Sequence, residues 1–221
     1  MSDAHRWAGW PPGKTFGIGL NYVDHAGDLD EKAPEDEPAS FPKWQHTLIG
    51  PGDDIVLPPE SQKVTAEAEV ALVIGERCYR VDEDDALDYV AGMVVVLDQT
   101  AEDILRRNPR FLTRSKNFPT FLSVGTELKP VDEVVEAAGS IEGIAVTTVR
   151  NGEPQRTNVV GNMTFGPAYL VSFHSQVMPL EPGDIICTGP PGAVPVSDGD
   201  TVEAHVTGFS PLSNSVVRNN S

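Results

Sequence analysis

From Ile55 onward, apolar positions alternate with polar ones, or run unbroken, over six short stretches: 55–57, 68–74, 92–97, 144–150, 185–188 and 201–206. Runs of this length, rich in Val and Ile and bounded by Gly, Pro, Asn and Asp, predict β-strands. Asn151-Gly152, between 146–150 and the polar stretch that follows, predicts a two-residue hairpin turn. Helical patterning is confined to three short segments. Residues 83–91 are closed by Gly92, which suits the left-handed position just past a helix end. Thr100 is expected to cap a helix running to about Arg107, with Asp103 completing a variant of the capping box. Residues 167–175 carry Leu170, Val171 and Phe173 and predict a third helix. The expected class is therefore α+β, β-rich, with few short helices and a core dominated by non-local strand pairing.

Length and composition narrow this further. With 221 residues, 39% hydrophobic and 22% charged, the chain suits one globular domain. There is no internal repeat. Residues 28–39 are acidic and proline-rich and read as an exposed loop. No apolar run approaches the roughly 18 residues of a membrane span, and the N-terminus lacks the apolar segment of a signal peptide. The expectation is a cytoplasmic protein. Cys78 and Cys187, the two cysteines, are accordingly read as buried free thiols rather than a disulfide. Sixteen basic residues stand against 33 acidic ones, a formal charge of -17. That excludes general binding to nucleic acid, which needs a basic surface. An anionic ligand would need a local group of cations, or a metal, to reverse the field around it.

The candidate chemistry lies in Val64-Thr65-Ala66-Glu67-Ala68-Glu69-Val70. Side chains alternate faces along a strand, so Glu67 and Glu69 point the same way. Two carboxylates on one face among buried residues are costly unless something neutralises them. A divalent cation of the Mg²⁺, Mn²⁺ or Ca²⁺ type does so through oxygen ligands. The competing reading is a polar stripe facing solvent. Asp98 ends the apolar run 93–97, where a buried strand is expected to leave the core. There it could close a metal site or cap a turn.

Several stretches together resemble one family. They are Gly19-Leu20-Asn21-Tyr22-Val23-Asp24-His25, Glu67-Ala68-Glu69 ahead of Val73-Ile74-Gly75, Ala91-Gly92, Asp98 and Ser115-Lys116-Asn117-Phe118-Pro119. Asn151-Gly152-Glu153, Leu180-Glu181-Pro182-Gly183-Asp184 and Thr188-Gly189 follow in order. The chain is similar to the fumarylacetoacetate hydrolase superfamily from about Gly17 to Leu212. The resemblance implies a mixed β-roll between a 1–16 extension and a 213–221 tail, commonly assembled as a homodimer. It implies Glu67, Glu69 and Asp98 as ligands to Mg²⁺ or Mn²⁺, and Lys116 as a contact to substrate oxygens. It implies His25, on a lid segment, as the group that activates water together with an acid three residues on. Tyr22, Lys43, Arg106, Thr188 and Gly189 fall at or near the pocket. Members cleave acylpyruvates, decarboxylate oxaloacetate, or isomerise unsaturated 2-oxo diacids.

Three positions depart from the family pattern. The glutamate after the lid histidine is Asp28, one methylene shorter, with Glu31 nearby. The arginine expected after Asp98 is Glu102, leaving Arg106, Arg107, Arg110 and Arg114 as substitutes or as solvated charges. The expected Thr-Gly-Thr-Pro turn reads Thr188-Gly189-Pro190-Pro191, and Pro190 lacks a hydroxyl and a backbone N–H. His46, His174 and His205 have no metal-ligand spacing, Trp7, Trp10 and Trp44 are assigned no chemistry, and Gly17-Ile18-Gly19 lacks the third glycine of a dinucleotide site.

The expected function is metal-dependent hydrolysis of a C–C bond in an acylpyruvate-like 2,4-dioxo acid, a small anionic 2-oxo acid, through a stabilised enolate. The alternatives are a decarboxylase or isomerase of oxaloacetate or an unsaturated 2-oxo diacid, and a non-catalytic scaffold that keeps the fold.

Overall fold

Two long strands organise the chain: β5, Val64–Ile74, and β6, Val90–Ala101, pair antiparallel along nearly their whole length. The computed structural model describes residues 12–22 and 36–218. The shorter strands, in chain order, are β1 (Thr15–Gly19), β2 (Ala39–Lys43), β3 (Leu48–Ile49), β4 (Asp54–Leu57), β7 (Leu122–Val124), β8 (Ala145–Arg150), β9 (Glu153–Val159), β10 (Ile185–Cys187), β11 (Val194–Val196), β12 (Thr201–Val206) and β13 (Leu212–Arg218). Among the described residues four α-helices interrupt them: α1 (Glu102–Arg107), α2 (Leu112–Lys116), α3 (Val131–Ala138) and α4 (Pro167–Val177). Among the described residues no helix is long and apolar enough to cross a membrane. Strand β1 begins at Thr15, within the expected N-terminal extension, and β13 runs through most of the expected tail.

The strands form two mixed sheets. One has the order β2-β1-β10-β5-β6-β7-β3, with β11 also paired to β5, and the other the order β4-β13-β12-β8-β9. The first sheet is strongly curled. Strands β2 and β6 are four places apart, which would be roughly 19 Å in a flat sheet at about 4.8 Å per strand. Yet the Lys43 ammonium on β2 lies 2.6 Å from Asp98 on β6. The two ends of the sheet, β2 and β3, are joined directly through a 3₁₀ turn at Gln45–Thr47. This is the β-rich class that the sequence pattern predicts, in the roll that the family resemblance implies.

Curling gives β5 and β6 two different faces. Ala66, Ala68, Val70 and Leu72, with Met93, Val95 and Leu97, join the main core, which also takes in Val146, Val202 and Val216 of the second sheet. The opposite face turns into the roll, where Ala71, Val73, Val94, Val96, Leu122 and Cys187 form a separate apolar cluster. With both faces covered, strand β5 is buried at every position. The polar residues on its inward face therefore sit inside protein rather than on a solvated stripe.

Three local expectations change. Residues Glu83–Tyr89 form a 3₁₀ helix, and Gly92 does not terminate it but lies within β6. Its missing side chain admits the backbone of Lys129, which exchanges two hydrogen bonds with Met93 (2.7 and 3.0 Å). Thr100 does not cap a helix either. Strand β6 continues through Ala101, and Asp103 accepts hydrogen bonds from Ser61 Oγ (2.5 Å) and the Gln62 backbone N–H (3.2 Å). For the same reason Asp98 is not at a strand end: the strand runs three residues beyond it, and it is 1% exposed. The expected loop at 28–39 falls largely outside the described residues, and Ala39 already belongs to β2.

The hairpin is as expected. Strands β8 and β9 pair with Arg150 opposite Glu153, and the two loop residues have φ of 53° (Asn151) and 78° (Gly152). Positive φ at both positions is the type I′ turn whose twist matches the strands. A β-branched residue at the second position pays about 1–2 kcal/mol for that conformation. Gly152→Val should therefore lower the midpoint of thermal unfolding by several degrees; an unchanged midpoint would show that the turn does not constrain the hairpin.

His174 supplies a pH-dependent component of stability. It is 2% exposed on α4, its Nδ1 lies 2.7 Å from the Leu170 carbonyl, and its Nε2 has no partner. Burial lowers its pKa by penalising the imidazolium. A depressed folded value means the unfolded chain binds the proton first. Stability is then complete above the ordinary histidine pKa of about 6.5 and declines as pH falls through the folded value, by up to about 1.4 kcal/mol per pH unit. Comparing His174→Gln with the parent from pH 7.5 to 5 by chemical denaturation should show a flatter profile in the variant. Parallel profiles would remove His174 from the account.

Candidate metal centre and substrate cavity

Strand register builds the site. Glu67 on β5 lies directly opposite Asp98 on β6, and Thr65 lies opposite Thr100. All four point into the roll, and Glu69 follows two residues on along the same face. Oxygens of Glu67, Glu69 and Asp98 approach one another within 4.8 Å. The three residues are 4%, 1% and 1% exposed. Three carboxylates this close in a dry interior cannot remain ionised without counter-charge.

Two lysines supply part of it. Lys116, at the end of α2, places its ammonium 2.9 Å from Glu67 Oε2 and 2.7 Å from Asp98 Oδ2. Lys43 donates to Asp98 Oδ1 (2.6 Å) and to the backbone carbonyls of Lys116 (2.5 Å) and Phe121 (2.6 Å). Lys43 thus holds both a carboxylate and the peptide that carries the second lysine. Burial alone would lower the Lys116 pKa, but Asp98 and Glu67 outweigh it and hold the group above the ordinary lysine value. Burial alone would raise Asp98, but Lys116 and Lys43 hold it below the ordinary carboxylate value. Lys43 itself is lowered by desolvation, which its bond to Asp98 only partly offsets.

Glu69 is left over. Its Oε2 accepts the Gly189 N–H at 2.6 Å, but its Oε1 is buried with no hydrogen-bond partner. Desolvation, then the nearby Asp98 charge, raise its pKa well above the ordinary glutamate value. Two ammonium groups against three carboxylates leave one negative charge uncompensated. That orphaned oxygen, in an all-oxygen donor set, fits a hard divalent cation.

Neighbouring groups hold the carboxylates in place. The hydroxyls of Thr65 and Thr100 both donate to Glu67 Oε1 at 2.8 Å, so Oε2 faces Lys116. Gly189 has φ of 97°, and a β-carbon there would crowd Asn21 and the Ile18 carbonyl. Asn21 in turn donates to the carbonyls of Thr188 (2.7 Å) and Phe165 (3.0 Å), tying the end of β1 to this turn.

A cavity of about 190 Å³ opens in front of Glu67, Thr100 and Lys116. Of the residues singled out from sequence, Arg106 lines it, whereas Thr188 and Tyr22 do not. The Thr188 hydroxyl donates to the Val70 carbonyl (2.7 Å). Tyr22 is fully buried, its hydroxyl is unpartnered, and its pKa is raised by desolvation and then by Glu69. Lys43 stands behind the carboxylates rather than in the cavity wall. Arg107, Arg110 and Arg114 are exposed. His25, Asp28 and Glu31 lie outside the described residues. Thr65, Thr100 and Asn21 were not read as site residues from sequence; for the two threonines the signal was available, since they share the period-two face of the glutamates.

Comparison with known proteins identifies the family. Residues 14–217 match the C-terminal domain of fumarylacetoacetate hydrolase. The human mitochondrial oxaloacetate tautomerase FAHD2B is 34% identical over 217 residues, 94% of this chain and 67% of the relative. The 2-hydroxyhepta-2,4-diene-1,7-dioate isomerase of Mycobacterium marinum superposes with a TM-score of 0.82 at 31% identity, covering 95% of this chain and 76% of that one. The fumarylpyruvate hydrolase of Pseudomonas aeruginosa, solved with Mn²⁺ and pyruvate, shares the fold with a TM-score of 0.85 at 23% identity, covering 95% and 91%. The chain belongs to the fumarylacetoacetate hydrolase family, a family of enzymes, and its relatives above 30% identity include tautomerases and isomerases.

Proposed function

We propose that the protein is a divalent-metal-dependent enzyme that moves a proton at the carbon next to the oxo group of a small 2-oxo acid, exchanging its enol and keto forms. The observation that carries this reading is the buried convergence of Glu67, Glu69 and Asp98 with Lys116 at the inner end of the cavity. Relatives above 30% identity that bear the names of a tautomerase and an isomerase support it.

Glu67, Glu69 and Asp98 would hold Mg²⁺ or Mn²⁺, which supplies Lewis-acid stabilisation of the negative charge that develops on an enolate. Lys116 adds a fixed positive charge beside the same oxygens. Because Asp98 and Glu67 keep it protonated, it donates a hydrogen bond rather than accepting a proton. Thr65, Thr100, Gly189 and Lys43 orient the carboxylates, so little reorganises as charge moves. His25 is the proposed base, oriented by Asp28. Its segment departs from Leu20, which forms part of the cavity wall, and five residues span at most about 17 Å. An ordinary histidine pKa of about 6.5 suits proton transfer near neutrality.

C–C hydrolysis of an acylpyruvate is the second reading, favoured by the cavity beside Lys116, where His25 would direct a water instead. NMR of acetylpyruvate, fumarylpyruvate and oxaloacetate in D₂O with Mg²⁺ or Mn²⁺ separates the two. Deuterium entering carbon 3 above the buffer rate, with the carbon skeleton intact, is expected. Two carbonyl fragments would move the assignment to hydrolysis, and no change in any of the three would refute both.

A further inference from the structure

The chain carries a formal charge of -17, yet the ligand proposed for its cavity is an anion. The distribution of charge bears on this conflict. Residues 102–116 hold five of the 16 basic residues and two of the 33 acidic ones. This stretch comprises α1, α2 and the link between them, and its Leu105, Arg106, Pro109 and Leu112 line the cavity. Glu102 lines it too, but two cations meet its single charge. Its Oε1 lies 2.6 Å from Arg106 and its Oε2 lies 2.7 Å from Lys63, so the trio is net positive. Asp103, the other acid, is bonded to the Ser61 hydroxyl and the Gln62 N–H and offsets part of the Arg107 charge.

Arg107, Arg110 and Arg114 are exposed, and among the described residues none of them is in an ion pair. Each is within two residues of a lining residue, at most about 7 Å along the chain. Exposed charges of this kind add little to stability. Their field does act at a distance, over a Debye length of about 30 Å at 0.01 M ionic strength and about 10 Å at 0.1 M. We propose that the stretch is an electrostatic collar: Arg107, Arg110 and Arg114, beside the paired Arg106, raise the local concentration of small carboxylate anions at the cavity mouth against the field of the whole protein. The inference rests on the function proposed above, which makes the ligand an anion, and adds how so acidic a protein admits one.

Calorimetric titration of the Mg²⁺-loaded protein with 2-oxoglutarate, a dianion, tests this without turnover. Two triple variants that lower the net charge equally are compared with the parent. One carries Arg107→Gln, Arg110→Gln and Arg114→Gln on the collar. The control carries Arg77→Gln, Arg80→Gln and Lys129→Gln. Arg77 and Arg80 follow the end of β5 remote from Glu67, and Lys129 is bonded to Met93, which pairs with Leu72 near that same end. Three charges about 10 Å from a dianion are worth on the order of tenfold in affinity at 0.01 M ionic strength and about twofold at 0.3 M. Parent and control should both lose affinity as salt rises between these limits. The collar variant should bind about tenfold more weakly than either at the lower salt, with most of the difference gone at the higher. Where turnover is found, kcat/KM should follow the same pattern with kcat unchanged. Equal affinity in the two triple variants overturns the collar and leaves the proposed function standing. Parent affinity that rises with salt, as the net charge alone dictates, does the same, and an absence of binding in the parent also overturns the collar. The expected salt pattern without proton exchange in any 2-oxo acid keeps the collar and removes the function.

Discussion

Glu69→Gln is expected to weaken Mg²⁺ or Mn²⁺ binding by at least about 100-fold, the upper range for loss of groups that merely support a ligand. It removes the charge of the one carboxylate whose outer oxygen has no partner, while leaving its shape and its acceptor for the Gly189 N–H. The same change should stabilise the metal-free protein. A carboxylate with a raised folded pKa contributes stability that is complete below its unfolded value, near 4.3, and is lost as pH rises through the folded value. Replacing it with an amide abolishes that loss, so the gain should grow from pH 5 to pH 8. Adding metal at 100 times Kd raises parent stability by about 2.7 kcal/mol, on the order of 5–10 °C for a chain of this size. The variant should show almost none of that rise. Calorimetric titration that finds the parent affinity in Glu69→Gln would remove this residue from the ligand set.

Lys43→Met should be the most destabilising single change in the site. Its ammonium is bonded to one carboxylate and two backbone carbonyls and is 3% exposed. Removing one member of a buried ion pair costs about 3–5 kcal/mol because the other charge stays behind unpaired. Here two carbonyls also lose their donor. A fall in unfolding midpoint on the order of 10 °C is expected. Excess divalent ion should recover part of it, because a cation beside Asp98 replaces some of the lost charge. Lys43→Arg should not rescue it, since a planar guanidinium cannot occupy the space of a compact ammonium among three acceptors. A loss below about 1 kcal/mol in Lys43→Met would mean that Asp98 is compensated by something else.

These two residues differ in how readable they were. Glu69 follows Glu67 by two positions on an apolar strand, and the period of two alone puts both on one face. Asp98 could be suspected but not joined to them. Its partner depends on the register of β5 against β6, and a shift of one residue would have turned it to the other face. Reading it as a strand end failed for a related reason: Gln99 and Thr100 look like an exit from the core, yet they are buried because the sheet curls over them. Lys43 carried no local signal. Phe41-Pro42-Lys43 suits an outer strand equally well with its lysine in solvent. Arg106 illustrates the limit on the other side, since four neighbouring arginines look alike in sequence and one of them lines the cavity.

The sequence by itself determined the strand-rich class, the hairpin at Asn151-Gly152, the shared face of Glu67 and Glu69 and, through motif order, the family. These follow from properties of a few consecutive residues: side-chain period, turn dihedrals, residue type. The tertiary structure decided that the carboxylates are buried, that Asp98 completes their cluster, that two lysines leave one charge uncompensated, and that Arg106 and Glu102 line one cavity with Lys116. Each of these depends on the curl of one sheet, which brings strands far apart in order to within the length of a side chain, and no local pattern encodes that closure.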